Sequence, residues 1–401
     1  VFNMSNLKSI GCMIFCGSQT FGNIRAGFNP QEILEISNDI LDNNCYHTKF
    51  YKNYPPIILP STWENEDYLR KLQKQDFDLF FANNPCSGLS SLNRNASSDN
   101  KVNDHFYRVL NAIEIVKPKV AFMENAPTLI NRGFPILQKV FNQLNKDYNF
   151  TIVRDKAGNH DVAMVRTRTF VIMWRKDFFN DSIPLLNMNK KPQKEIDDVL
   201  KSINSEFNNE LFPEEERSWT NVEDLYPLIQ RGQNVLDFMM NNLDTYRDRL
   251  DKSQINYVEN SIRKINAGGN IWNKTPFKCD KIAPSLSSVI ELINPLTSKP
   301  FTIREMATLM NYPFDFEFHK GGKLPIQQCI AQGVPANFIE YIHSEIKEAI
   351  LGNRACLNKL PDQIVNYQNH ITEQCQLFNK NELDNMTQFK IDKKRAIKLI
   401  K

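Results

Sequence analysis

Cys86 stands just past an apolar run, "DFDLFFA", that stops at Asn83 and Asn84, and a polar loop from Leu89 to Lys101 follows it. A thiol in that place can be packing filler, or it can be a nucleophile presented at the tip of a strand. Glu124 and Asn125 close a second apolar run, "KVAFMEN". Such a pair can hold a ligand or cap the helix that follows. Arg166 and Arg168 alternate in "RTR" ahead of "TFVIMW", where they can meet an anion or lie on a solvated face. Gly17 ends "KSIGCMIFCG", and Glu35 lies near the end of "EILEIS". The glycine could approach a nucleotide-type cofactor, but the full GxGxxG pattern is absent, so it specifies none by itself.

The elements that must position these residues follow from periodicity. The five apolar runs read as strands buried on both faces. "DHFYRVLNAIEIVKP" reads as a helix, with Phe106, Val109, Leu110, Ile113 and Val116 on one stripe and Pro118 just past its end. "NDILDNNCYHTKF" and "FPILQKVFNQLNK" have helical spacing too, while "SQTFGN" reads as a loop. Strands alternating with helices predict an α/β fold on a parallel sheet with helices on both faces. Ligands in such folds sit at the carboxyl ends of strands. Gly17, Glu35, Cys86 and Glu124 all fall at such ends.

After Trp174 the texture changes. From about Lys176 to Asn266 the chain is charged and Asn-rich, with helical periodicity in "QNVLDFMMNNL" and "QINYVENSIRKI". It turns compact again from Phe301, and its last stretch is polar with helical segments. A chain of 401 residues suffices for two lobes. The net charge of +3 neither establishes nor excludes a polyanionic partner. The eight cysteines form no CxxC pair and show no zinc-ligand spacing, so no metal is expected. No signal peptide and no bilayer-spanning apolar run are evident. The expectation is a cytoplasmic protein with reduced thiols and no membrane partner.

In chain order the pieces form a set. "FCG" at Phe15–Gly17, Glu35, "PCSG" at Pro85–Gly88, "ENA" at Glu124–Ala126 and "RTR" at Arg166–Arg168 come first. After a variable stretch come "APSLSS" at Ala283–Ser288, "TIREMATLMNYP" at Thr302–Pro313 and "IAQGVP" at Ile330–Pro335. The set resembles the DNA cytosine-5 methyltransferase family, over Ile10 to about Trp174 and Pro276 to about Ile350. The resemblance implies a Rossmann-like, S-adenosylmethionine-dependent methyltransferase sheet with a smaller, largely helical target-recognition lobe. It divides the chain into a catalytic and cofactor-binding domain (4–175), the recognition lobe (176–300) and the late motifs (301–350), whose last helix returns to the catalytic domain. A polar helical extension (351–401) follows.

The residue types agree with that chemistry. Carbon 5 of cytosine does not attack a methyl sulfonium unaided, but thiolate addition at carbon 6 turns the ring into an enamine whose carbon 5 can. The resemblance implies Cys86 as the thiolate, Glu124 holding N3 through a shared proton, and Arg168, helped by Arg166, near the cytosine O2. It implies S-adenosylmethionine held by Phe15, Gly17, Glu35, Ile36 and Pro85. It implies DNA contacts from Ser87, Ser90, Arg94, Lys101 and Asn125, with Asn125 also bracing the turn. The base would have to leave the duplex, and the Leu89–Lys101 loop would close over it. The implied setting is a monomeric bacterial or phage modification enzyme on double-stranded DNA, nucleoid-associated through that DNA, with a restriction nuclease as partner.

Several positions depart from the family pattern. Gln19 and Thr20 stand where two more glycines are usual, Ser87 where Gln is usual, Ala126 for Val and Met164 for Gln. Ala331-Gln332-Gly333 stands for Gly-Asn-Ala, and "PPIILPSTWEN" offers no clear acid. Several departures fall where the cofactor's methionine end would lie, which raises a modified S-adenosylmethionine as an alternative. Two other readings stay open: methylation of RNA such as tRNA, and a catalytically weakened nucleic-acid-binding protein on the same fold. An amino-group methyltransferase fits less well, because an aromatic residue would follow Asn-Pro-Pro where Asn84-Pro85-Cys86-Ser87 stands.

Overall fold

A computed structural model describes residues 7–12, 17–35, 56–58, 65–90, 95–203, 210–271, 273–287, 290–316, 318, 326–358, 364–367 and 375–378. Phe15, Ile36, Arg94, the side chain of Glu35 and the helical reading of "NDILDNNCYHTKF" lie outside what is described. The first half runs β1 (Lys8–Cys12), α1 (Ser18–Arg25), β2 (Asn29–Glu35), β3 (Pro56–Ile58), α2 (Glu66–Gln73) and β4 (Leu79–Asn83). It continues with α3 (Asp104–Val116), β5 (Val120–Asn125), α4 (Phe134–Leu144), β6 (Tyr148–Lys156) and β7 (Thr167–Arg175).

The "SQTFGN" stretch, expected as a loop, is the body of α1. The helix starts at Ser18 directly after Gly17, whose φ of 81° turns the chain in a conformation open to glycine. Strands β3, β2, β1, β4 and β5 lie side by side and parallel. β7 then runs antiparallel between β5 and β6, so the sheet is mixed and not all-parallel as expected. The 157–166 connection is too short for the helical crossover a parallel partner needs. One consequence matters for chemistry: the beginning of β7 lies at the edge where β5 ends, with Asn125 opposite Thr169.

Every residue of β4 and β5 is buried. Successive side chains feed opposite faces. Phe80, Ala121 and Met123 join α2, α3 and α4 on one side. Phe81 and Phe122 join the second core, which also holds residues of α8 (Ile303–Leu309), α9 (Ile326–Gln332) and α10 (Ala336–Ile350). Between β7 and α8 run β8 (Ser182–Pro184), α5 (Ile196–Lys201), α6 (Val235–Tyr246), α7 (Lys252–Asn266), β9 (Phe277–Lys278) and β10 (Leu292–Ile293). Phe179, Ile183, Leu186, Met188, Ile196, Leu200 and Phe212 pack into the core that holds Phe81 and Phe122, as do Cys279, Ala283, Leu286 and Leu292, whereas residues from Val222 to Val258, with Ile293, form a separate core. The polar C-terminal segment is corrected too. In place of helix its described parts are strands, β11 (Cys356–Asn358), β12 (Ile364–Tyr367) and β13 (Cys375–Phe378). β12 extends the main sheet beyond β6, and Ile364, Val365 and Tyr367 are residue types that favour this.

A polar chain crosses the second core. Ser9 Oγ donates to Asn23 Oδ1 at 2.7 Å, and Asn23 Nδ2 donates to His343 Nδ1 at 3.0 Å. Because the amide nitrogen can only donate, the imidazole proton sits on Nε2. The His343 ring is edge-on to Phe122, Phe81 and Phe28. Burial pushes its pKa down to about 3. The sign follows: the unfolded chain binds a proton below about 6.5 that the folded chain refuses until about 3. Stability is therefore full above that upper value and falls by about 1.4 kcal/mol per pH unit through the window below it. His343→Gln keeps an acceptor for Asn23 and cannot titrate. Denaturant unfolding from pH 7 to pH 4 is expected to show a slope shallower by about one proton in the variant. Equal slopes would mean that His343 is not the titrating group.

Candidate active site

The Cys86 turn hangs between β4 and β5. Its carbonyl accepts hydrogen bonds from the backbone of Leu89 at 3.0 Å and Ser90 at 2.8 Å, a helical turn that presents the half-buried Cys86 side chain at the sheet edge. Asn125 braces the turn from β5. Its Nδ2 donates to the carbonyls of Asn84 (3.1 Å) and Pro85 (3.4 Å), and its Oδ1 accepts from the Ala126 backbone at 2.8 Å. Asn125 is fully buried, and both ends of its amide serve the protein itself.

Glu124 is one residue earlier on β5, opposite Asn83 of β4. Arg168, at the start of β7, brings Nε to 2.6 Å from Glu124 Oε1. The two groups form a close charge-assisted pair, and both side chains are buried. Burial raises the Glu124 pKa, and the charges of Arg168 and Arg166 pull it back. The carboxyl thus holds a proton to higher pH than an exposed glutamate would.

Arg166 has a different place from Arg168. It is almost fully buried, and its guanidinium binds backbone carbonyls: Nη2 to Ala331 (2.7 Å) and Gly333 (2.5 Å), Nη1 to Leu286 (3.3 Å). Burial and the charge of Arg168 press its pKa downward, while Cys86 and Glu124 favour its charge. Arg166 therefore joins the sequence-distant "APSLSS" and "IAQGVP" segments to the strand edge. Sequence reading paired the two arginines by spacing and missed that one meets an acid and the other meets main chain.

Among the described residues, the same edge carries buried polar atoms without a hydrogen-bond partner. They are Ser18 Oγ, both amide atoms of Gln19, Thr20 Oγ1, Asn83 Nδ2 and both amide atoms of Asn84. Each such atom costs about 1–3 kcal/mol if left unmet, so a polar ligand is the physical expectation here. Gly333 explains a second oddity. A Cβ there would lie 2.4 Å from Ser18 Oγ. Ser18, at the start of α1, thus fills the space that a side chain at position 333 would need.

The loop after Cys86 is tied at its base. Leu89 is buried, and its carbonyl accepts from Thr128 Oγ1 (2.6 Å) and Arg132 Nη1 (3.1 Å). At the other end Asn103 Nδ2 donates to the carbonyls of Ser97 (2.8 Å) and Ser98 (3.0 Å), and the Ser97 backbone donates to Gly88 (3.0 Å). Ser87 and Lys101 are exposed and Ser90 is half-buried. Thr128, Arg132 and Asn103 went unnoticed in the sequence. The polar "TLINR" directly after "ENAP" was the available signal for the first two.

Comparison with known proteins bears on what such an edge does. The family model of C-5 cytosine-specific DNA methylases matches residues 14–348. The chain is 21% identical over 349 residues to the type II methyltransferase M1.HphI of Haemophilus parahaemolyticus, covering 84% of each chain. It is 24% identical over 337 residues to the type II methyltransferase M.Sau96I of Staphylococcus aureus, covering 81% of this chain and 70% of that one. In fold it is similar to a putative DNA modification methyltransferase encoded within an E. coli prophage. That match has a TM-score of 0.58 at 19% identity and covers 86% of this chain and all of the other. It is also similar to the Entamoeba histolytica methyltransferase EhMeth, with a TM-score of 0.54 at 14% identity, covering 86% of this chain and 99% of the other.

Proposed function

The chain belongs to the C-5 cytosine-specific DNA methylase family, and from that premise we propose that it transfers a methyl group to carbon 5 of cytosine in duplex DNA. The observation that carries this reading is the meeting of Cys86, Glu124 and Arg168 at one sheet edge, with Glu124 buried and paired to Arg168. S-adenosylmethionine, when bound, supplies an electrophilic methyl group. Ser18, Gln19, Thr20, Asn83 and Asn84 offer it the unmet polar atoms described above, and Pro85, Gly17 and Glu35 flank the same edge.

The chain's own residues do the rest. Cys86, as thiolate, adds to carbon 6 of the ring, and the displaced electron pair makes carbon 5 nucleophilic. Glu124 meets N3 and shares a proton there as negative charge grows, a role that a carboxyl with a pKa raised by burial is suited to. Arg168 keeps a positive charge beside both the carboxyl and the ring. After carbon 5 has gained its methyl group it loses its proton to water. The electron pair left behind expels Cys86 and restores the ring. A paired base cannot reach Cys86, so the target must leave the stack. In this reading the loop tied by Thr128, Arg132 and Asn103 closes over that base, and Ser87, Ser90 and Lys101 contact the DNA backbone. Both curated relatives are type II methyltransferases, which supports a restriction nuclease as partner.

The test is to sequence modified cytosines in DNA from cells that express the protein, beside cells that express Cys86→Ala. Methylation at a defined sequence in the first and none in the second is the expected result. Transfer by the purified enzyme to tRNA but not to duplex DNA would overturn the DNA reading and keep the chemistry.

A further inference from the structure

Helix α9 is tied at both ends. At its start, Glu216 accepts the backbone N–H groups of Ile326 and Gln327, each at 2.9 Å, one on each carboxylate oxygen. Glu216 comes from the strap that leads into the variable lobe, 110 residues away in sequence. At its end, the carbonyls of Ala331 and Gly333 receive Arg166. A second path runs beside the helix. Arg166 also holds Leu286, and Gln327 Nε2 donates to the carbonyls of Ser287 (3.1 Å) and Ile290 (2.8 Å). The next residue, Glu291, accepts the Ser218 backbone at 3.0 Å, two residues from Glu216. The bonds close a ring: strap, α9, Arg166, the 286–290 segment, and the strap again.

A closed ring of this kind fixes distances that an open chain would not. Its far corner is the arginine next to Arg168 and Glu124, and its near corner is an acid at the root of the lobe. We propose that Glu216 is a positioning residue for the methyl-transfer reaction: it sets α9, and through α9 the place of Arg166 behind the reacting centre. The inference rests on the proposed function. A rigid frame is worth having here because misplacement by about 1 Å can cost around a hundredfold in rate. A carboxylate that caps two backbone donors is also a stronger tie than a neutral side chain.

The test uses the full chain with Glu216→Ala, Glu216→Gln and, as control, the exposed Glu214→Ala. Hydrogen exchange needs no activity. In Glu216→Ala, peptides spanning 283–290 and 331–334 are expected to lose protection together with the capped start of α9. Loss confined to Ile326 and Gln327 would overturn the ring. In methyl transfer at saturating DNA and cofactor, kcat is expected to fall about tenfold while the KM for DNA changes less than about twofold. Glu216→Gln, which keeps one acceptor, is expected to recover part of the rate, and Glu214→Ala to match the wild type. A raised KM with unchanged kcat would mean that Glu216 only seats the lobe, and would overturn the proposal. A wild type without methyl transfer on any cytosine substrate sinks the proposed function, while the exchange result still decides the ring.

Discussion

Cys86→Ser is expected to lose methyl transfer by about four orders of magnitude or more, as removal of a nucleophile does elsewhere, while keeping its fold. The side chain is half-buried at a turn held by main chain, Asn125, Thr128 and Arg132. The substitution therefore removes the nucleophile and little else. A covalent trap makes the result specific. DNA carrying 5-fluorocytosine in the target has no proton to lose at carbon 5 after methylation, so the thiol cannot be expelled. Wild-type protein with S-adenosylmethionine is expected to form an adduct that survives denaturing electrophoresis, and Cys86→Ser is expected to form none. An adduct in the serine variant would move the nucleophile to another residue. None in the wild type, on any cytosine substrate, would favour a nucleic-acid-binding protein.

The second large effect belongs to Glu124. Glu124→Gln keeps the shape and can still face N3, but it cannot pass a proton, so a loss of about 10²- to 10⁴-fold in kcat is expected. The pH profile carries the finer prediction. Burial raises the carboxyl pKa against the pull of Arg168 and Arg166. If its proton is used, the wild-type rate declines as pH rises through that raised value. Glu124→Gln is expected to be slow and to lack that alkaline decline. A variant that keeps the wild-type alkaline limb would assign the limb to another group. Binding of the trapped DNA gives a control, because a merely structural loss would weaken it in parallel.

The strands that carry Cys86 and Glu124 were legible because they are covered on both faces, and continuous apolar runs announce such strands. The helix from Asp104 was legible for the complementary reason, an apolar stripe at helical spacing with a terminator after it. The direction of β7 was not. A run such as "TFVIMW" reads the same either way, and only the short connection before it forces an antiparallel return. That return is why the two arginines lie at the start of a strand while Cys86 and Glu124 lie at the ends of theirs. The first turn of α1 was misread because Ser18, Gln19 and Thr20 look like loop residues. Their side chains are nonetheless buried, and Ser18 fills the space left at Gly333. The strap at Glu216 was invisible for a more general reason. A carboxylate capping a helix from 110 residues away leaves no local pattern in either segment.

The return of α10 to the sheet bears on how the protein is made. Phe81 and Phe122, from the middle strands, bury one face against a core that Phe338, Ile339, Ile342 and Ile346 help to complete. On a ribosome those strands emerge first and then wait while the variable lobe is synthesised. From Phe122 to Phe338, at the usual pace of about 5–20 residues per second, the wait is on the order of ten to forty seconds. Throughout it an apolar sheet face stands open to other nascent chains, which is where a chaperone would find its substrate. The same delay keeps Arg166 without the carbonyls of Ala331 and Gly333, so its buried contacts form only after that segment has been made.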